Sequence, residues 1–145
     1  MGIIYSMFFI GLLFIDLRSK NIVQKNKVYR ENRFCTITYS ENYGIALNIL
    51  EGKRLLIISV NTIIVAIISI YSLYSMYTTT NYLKNFSLLL IIAGGIGNLI
   101  DRVTKGFVVD FIIFKFKCSP IFNIADFYIM AGQLSIICLL FLGNF

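Results

Sequence analysis

Residues 55–77 run for 23 positions without a charged side chain. As a helix rising ~1.5 Å per residue they reach about 35 Å, enough to cross a hydrocarbon core roughly 30 Å thick. Three further apolar stretches accompany them. Residues 1–15 are uncharged up to Asp16 and reach about 22 Å; residues 85–100 are uncharged between Lys84 and Asp101; residues 124–143 carry one charge, Asp126. One small water-soluble core cannot bury all four. Composition agrees: 58% of residues are apolar and 14% charged, with mean hydropathy +0.81, against roughly 45–50% and about 25% in soluble domains. These values exclude disorder and select an integral membrane protein.

The expected fold is an all-α polytopic membrane protein, one membrane-embedded unit over residues 1–145. Its four transmembrane helices are read at about 1–17, 55–77, 83–102 and 124–143. A cleaved leader is the less favoured reading of the first segment, because no Lys or Arg precedes it and no small-x-small site follows it. Tyr71, Tyr74, Tyr77 and Tyr82 form an interfacial aromatic belt in a chain without Trp. Residues 18–54 are polar and mixed. The β-branched and aromatic run 34–39 reads as a strand, and Glu51-Gly52 as a turn, so this loop is expected to be a small β-rich unit on the membrane surface.

Residue inventory narrows the chemistry. The chain has no histidine, which removes imidazole triads, imidazole proton shuttles and most zinc sites. Cys35, Cys118 and Cys138 are far apart and odd in number, so no disulfide framework is expected; Cys138, in an apolar run, reads as a small buried hydrophobe. No metal or cofactor is expected.

Seven acids remain. Glu31, Glu41 and Glu51 lie in the polar loop and read as solvated. Asp16, Asp101, Asp110 and Asp126 each lie at or near the end of an apolar segment, where ionisable groups are costly and suggest function. Alternating helix direction brings one set of ends to one membrane face. Asp16, Asn42, Asn98, Asp101, Arg102, Asp110, Asn123 and Asp126 therefore converge by connectivity alone.

Asp110 and Asp126 are the pair selected for chemistry. The apolar neighbours Val108, Val109, Phe111 and Ile112 should favour protonated Asp110. The N-terminal end of the fourth helix should favour ionised Asp126. Two carboxylates biased in opposite directions can share a proton and activate a water. Other readings stand beside this one. Asn123-x-x-Asp126 is also a helix-capping pattern. Asp110 could be an interfacial acid paired with Arg102 or a loop lysine. Asp101 could hold the neighbouring Arg102, or act as the rival catalytic acid. The small residues 93–97 suit close helix packing, and Asn98 and Arg102, four apart, share one helix face.

Five segments in order, Asp16-Leu-Arg-Ser-Lys20, Asn42-Tyr-Gly-Ile-Ala46, Gly97-Asn-Leu-Ile-Asp-Arg102, Val108-Val-Asp-Phe111 and Pro120-Ile-Phe-Asn-Ile-Ala-Asp126, together resemble the signal peptidase II family, the lipoprotein signal peptidases of bacteria. The resemblance implies a four-helix aspartic peptidase of the bacterial cytoplasmic membrane. Its substrate would be a prolipoprotein, cut before a cysteine carrying diacylglycerol, near the outer membrane face. It implies Asp110 and Asp126 as the catalytic pair. It implies Asp16, Lys20, Asn42, Asn98, Arg102 and Asn123 as residues that orient substrate or brace the pair. Departures from the family pattern occur at Leu17, Tyr43, Ile45, Leu47 and Phe127, bulkier residues expected to line or border the cleft.

Loop charge runs against the implied orientation. Residues 18–54 hold eight Lys/Arg and residues 104–122 three more, whereas the 78–85 loop holds only Lys84. The positive-inside rule would place the basic side in the cytoplasm. The family topology is adopted because five ordered motifs outweigh a statistical bias, and the net charge of +6 is read as a grip on anionic headgroups. Expected partners are the lipidated substrate and membrane lipid, with no nucleic acid and no required oligomer. The competing function is a small non-enzymatic transporter or channel subunit whose acids relay ions, which would place the acids near mid-helix. A third is a family member that binds lipopeptides without cutting them.

Overall fold

The computed structural model describes residues 2–45, 50, 52–116 and 119–143. Four helices, α1 (Gly2–Asn26), α2 (Arg54–Thr78), α3 (Tyr82–Thr104) and α4 (Ile124–Phe141), are each long and apolar enough to cross a membrane. Four strands, β1 (Tyr29–Glu31), β2 (Cys35–Asn42), β3 (Val108–Phe114) and β4 (Ile121–Phe122), form one antiparallel sheet in the order β1-β2-β3-β4. The fold is that of a polytopic membrane protein with a small sheet at one end of the bundle.

α3 is the central helix. It packs against α1, α2 and α4, and much of its surface is buried. Its small residues make this possible. A Cβ on Gly94 would meet the Ala125 carbonyl of α4, and a Cβ on Gly97 would meet the Asp16 carboxylate of α1. Gly132 returns the fit from α4, with Ser87 O 2.5 Å from where its Cβ would lie. Close approach through small side chains replaces the hydrophobic driving force that lipid cannot supply. By contrast, α2 turns Leu55, Ile63, Ile67 and Ile70 outward, as suits a lipid-facing surface. Tyr74, Tyr77 and Tyr82 are exposed at the end away from the sheet.

Three expectations are corrected. First, α1 continues to Asn26 rather than ending near residue 17. Asp16 and Lys20 lie one turn apart, form an ion pair at 2.8 Å and are fully buried, so their charges do not break the helix. Arg18, Lys20 and Lys25 thus belong to α1 and Arg54 to α2, and the α1–α2 connection keeps Lys27, Arg30, Arg33 and Lys53. Second, the surface unit draws β3 and β4 from the α3–α4 connection, which the sequence reading left without strands. Third, Cys138 is exposed on the outer face of α4 rather than buried, and Cys35 is a half-buried free thiol. Cys118 and Glu51 lie outside the described residues; Glu31 and Glu41 are exposed as expected.

The sheet is anchored to the bundle by Val23 of α1, Val109 and Phe111, which form a buried cluster flanked by Ile37, Phe107 and Ile124. Alternation along β3 sends Asp110 to the opposite face from Val109 and Phe111. Ala at Gly94 or Gly97 should lower stability by about 1–3 kcal/mol through overpacking, read as thermal unfolding in detergent. Gly11→Ala, whose Cβ would meet nothing within 4 Å, should lose none.

Candidate active site

The end of the bundle under the sheet holds a buried polar network that the chain reaches from every helix except α2. Its centre is Lys20, fully buried. The Nζ donates to Asp16 Oδ2 at 2.8 Å and to Asn98 Oδ1 at 2.9 Å, and lies 3.8 Å from Asp101 Oδ2. Asp16 Oδ1 in turn accepts from the Ala125 backbone N–H at 3.0 Å, one of the donors that the first turn of a helix leaves unpaired. Gly97 leaves room for that carboxylate.

Asn98 and Asn123 carry the network to the two selected aspartates. Asn98 Nδ2 donates to Asp126 Oδ1 at 2.9 Å. Asn123 Nδ2 donates to Asp110 Oδ1 at 2.6 Å and to Asn98 Oδ1 at 3.1 Å. Asn123 is also the N-cap of α4: its Oδ1 accepts from Asp126 N–H at 3.1 Å while Asp126 Oδ2 accepts from Asn123 N–H at 3.0 Å. The capping reading is therefore correct, and the reciprocal cap itself fixes the Asp126 carboxylate. One asparagine thus ties both carboxylates together.

Strand register positions Asp110. It pairs with Ser40 on β2, and Asn42, two residues along, projects on the same face. Asn42 Nδ2 donates to Asp110 Oδ2 at 2.8 Å. Among the described residues the hydrogen-bond partners of the Asp110 carboxylate are thus two amides. Burial chiefly, opposed by the Asn42 hydrogen bond and reinforced by the Asp126 charge, pushes the Asp110 carboxyl up to about 6. The native chain then holds this proton more tightly than the unfolded chain does. Ionising Asp110 costs the fold nothing below about pH 4 and its full penalty above about pH 6.

Asp110 and Asp126 line one cavity of about 270 Å³, with Asn42, Asn98, Arg102 and Asn123. Arg102 and Asn98, four apart on α3, both face it as expected. Arg102 Nη2 donates to Gly44 O at 3.1 Å. A second, more apolar groove of about 380 Å³, running along Leu56, Ile57, Val60 and Ile64 of α2, shares Ile45, Asn98, Arg102 and Ile129 with the first.

Asp101 stands apart from this cavity. It is buried, accepts from Val109 N–H at 3.1 Å, and pairs with Lys105 Nζ at 2.7 Å as well as with Lys20. The Lys105 contact is an ion pair without hydrogen-bond geometry, since among the described residues Asp101 Oδ1 has no hydrogen-bond partner. Asp101 joins helix α3 to strand β3 and its cations are lysines, not Arg102. Among the departures, Ile45 lines both cavities. Phe127 packs edge-on to Phe114 and beside Phe122, bordering the cavity through Phe122. Tyr43 packs on Phe107 and donates to Glu41; Leu47 lies outside the described residues. The Lys105 and Ala125 contacts carry no signature in the sequence, since both depend on which turn of α3 meets which strand or helix.

A family model described as "Signal peptidase (SPase) II" matches residues 8–142. A lipoprotein signal peptidase of Caldicellulosiruptor bescii is 44% identical over 99 residues, 68% of this chain and 62% of that protein. The matched stretch thus spans less than two thirds of that relative. One from Fusobacterium nucleatum is 33% identical over 141 residues, 94% of this chain and 85% of the relative. A solved bacterial membrane enzyme, determined in meso at 2.3 Å, superposes with TM-score 0.81 at 32% identity, covering 94% of this chain and 87% of its own.

Lys20→Met should leave Asp16 and Asp101 as buried acids without their shared cation. The expected loss is about 3–5 kcal/mol of stability, read as chemical or thermal unfolding at neutral pH; an unchanged midpoint would show that Lys20 does not hold the network.

Proposed function

Because the chain belongs to the signal peptidase II family, we propose that it removes the signal peptide from diacylglyceryl-modified prolipoproteins by aspartic catalysis at Asp110 and Asp126. The observation that carries this reading is the placement of both carboxylates on one cavity, tied to a single asparagine, with Asp110 the more buried and its carboxyl pushed up to about 6.

The working form carries one proton on the pair. It resides on Asp110, the more buried of the two, and leaves Asp126 as the base. Asp126 takes a proton from a water, and the hydroxide adds to the scissile carbonyl carbon while Asp110 gives its proton to the carbonyl oxygen. As the tetrahedral intermediate collapses, the proton held by Asp126 passes to the leaving nitrogen, the C–N bond breaks, and Asp110 recovers its proton. Asn98, Asn123 and Asn42 hold the carboxylate oxygens in place. Asp16 and Lys20 brace Asn98 and the first turn of α4 from behind. Arg102 offers its remaining donors to the substrate backbone. The apolar groove beside the pair suits an acyl chain or the apolar signal segment arriving sideways from lipid, and Ile45 narrows the passage between them.

The site lies at the bilayer surface of a multi-pass membrane protein, and the reading places it at the outer face of a bacterial cytoplasmic membrane. One chain supplies every group named, so the chemistry requires no oligomer. An ion-relay function is not favoured. That function would place the acids near mid-helix, whereas here they gather at one end of the bundle under the sheet.

Purified protein should cleave a diacylglyceryl-modified prolipoprotein, and Asp110→Asn and Asp126→Asn should each reduce turnover by at least about a thousandfold while the chain stays folded. If Asp101→Asn removed activity and Asp110→Asn did not, the assignment would be wrong. For the unmodified enzyme kcat/KM should fall as pH rises through about 6, where Asp110 loses its proton; a profile flat from pH 5 to 8 would contradict the shared-proton form.

A further inference from the structure

We propose a lipid site at the other end of the bundle: one glycerolipid of the leaflet opposite the paired aspartates, held through its ester carbonyl oxygens. A cavity of about 850 Å³ lies there, lined by Tyr5 and Phe9 of α1, Ser72 and Tyr77 of α2, and Asn85 and Leu89 of α3, among others. α1 and α2 pack on α3 rather than on each other, so the cavity sits in the lateral gap between them.

Two buried polar groups point to a ligand. Asn85 is 3% exposed. Ser75 Oγ donates to its Oδ1 at 2.7 Å, which turns the amide N–H₂ the other way. Among the described residues Nδ2 has no hydrogen-bond partner, and the residue lines the cavity. Ser72, 5% exposed, also lines it, and its hydroxyl has no partner among the described residues. Neither atom is sealed inside the protein; both open onto the cavity, and a donor left without an acceptor in a water-poor bilayer costs about 1–3 kcal/mol. The cavity therefore calls for an acceptor within reach of both.

Charge and depth identify that acceptor. Among the described residues no Asp, Glu, Lys or Arg lines the cavity, so no side-chain charge described there selects a phosphate over a neutral oxygen. Asn85 stands three residues inside the start of α3 and Ser72 six residues before the end of α2, about 4.5 and 9 Å below the helix ends. The interfacial zone is about 5–8 Å thick on each side of the hydrocarbon. With the helix ends at the outer edge of that zone, Asn85 lies within it and Ser72 at its inner boundary, the level of ester groups. Phe9, Ile10, Leu89 and Ile92 continue the lining toward mid-bilayer, where an acyl chain would lie.

The test uses the full chain in detergent with palmitoyl-oleoyl-phosphatidylglycerol and its dialkyl-ether analogue of identical chains and headgroup, and counts retained lipid per chain by native mass spectrometry. The ester lipid should be retained about tenfold more strongly than the ether, the sum of two ordinary hydrogen bonds. Ester phosphatidylcholine should be held as well as ester phosphatidylglycerol. Asn85→Leu and Ser72→Ala should each weaken ester retention by about 2–10-fold and shrink the ester preference. Asp110→Asn should retain lipid unchanged, which separates this site from the proposed catalysis. Equal retention of ester and ether lipid by the unmodified chain would overturn the proposal without any variant. So would a signal-segment peptide that displaces the ester lipid and is retained in its place.

Discussion

A lysine ammonium with no access to solvent organises this end of the molecule. Lys20 is enclosed by Asp16, Asn98 and Asp101, and these partners tie α1 and α3 to the start of α4 and to β3. Asp16 holds the first turn of α4 through Ala125, Asp101 holds β3 through Val109, and Asn98 holds Asp126. A charge taken out of water is tolerated only when its partners are complete and well placed. The same requirement that makes the cluster costly therefore makes it positionally strict. That strictness is inherited by two carboxylates one and two hydrogen bonds away.

The two aspartates reach the site by different routes, and the difference accounts for their unequal character. Asp126 is held by the reciprocal cap at the start of α4 and stays partly exposed. Asp110 projects from a strand whose other face is packed against Val23, and is 3% exposed. Helix cap and buried strand thus supply one more solvated and one more desolvated acid, both bonded to Asn123. Asn123 serves both, so altering it would disturb the fold of α4 and the geometry of the pair together.

Much of this was legible in the sequence, for physical reasons that particular residues show. Uncharged length located the four spans, and helix alternation alone brought Asp16, Asn98, Asp110 and Asp126 to one face. The Asn123-x-x-Asp126 spacing correctly announced a cap, and the small run at 93–97 correctly announced close packing. What failed turned on tertiary contacts. Asp16 and Lys20 looked like the end of a span because a lone charge ends one, whereas a buried pair one turn apart does not. Residues 108–114 gave no alternation because β3 is buried along both faces of its first half, so the strand was indistinguishable from an apolar loop. Cys138 looked buried because an apolar run in lipid carries no mark of which side faces the protein.

The central claim is that Asp110 and Asp126 form one proton system rather than two separate acids. Isotope-edited infrared titration, with the carboxyl band of Asp110 assigned by substitution, tests it directly. The account predicts a protonated carboxyl that titrates near pH 6 in the unmodified chain and moves to lower pH in Asp126→Asn, where the neighbouring negative charge is gone. A titration that stays in place when Asp126 is replaced, or one already complete near pH 4 as for a solvated aspartate, would contradict it.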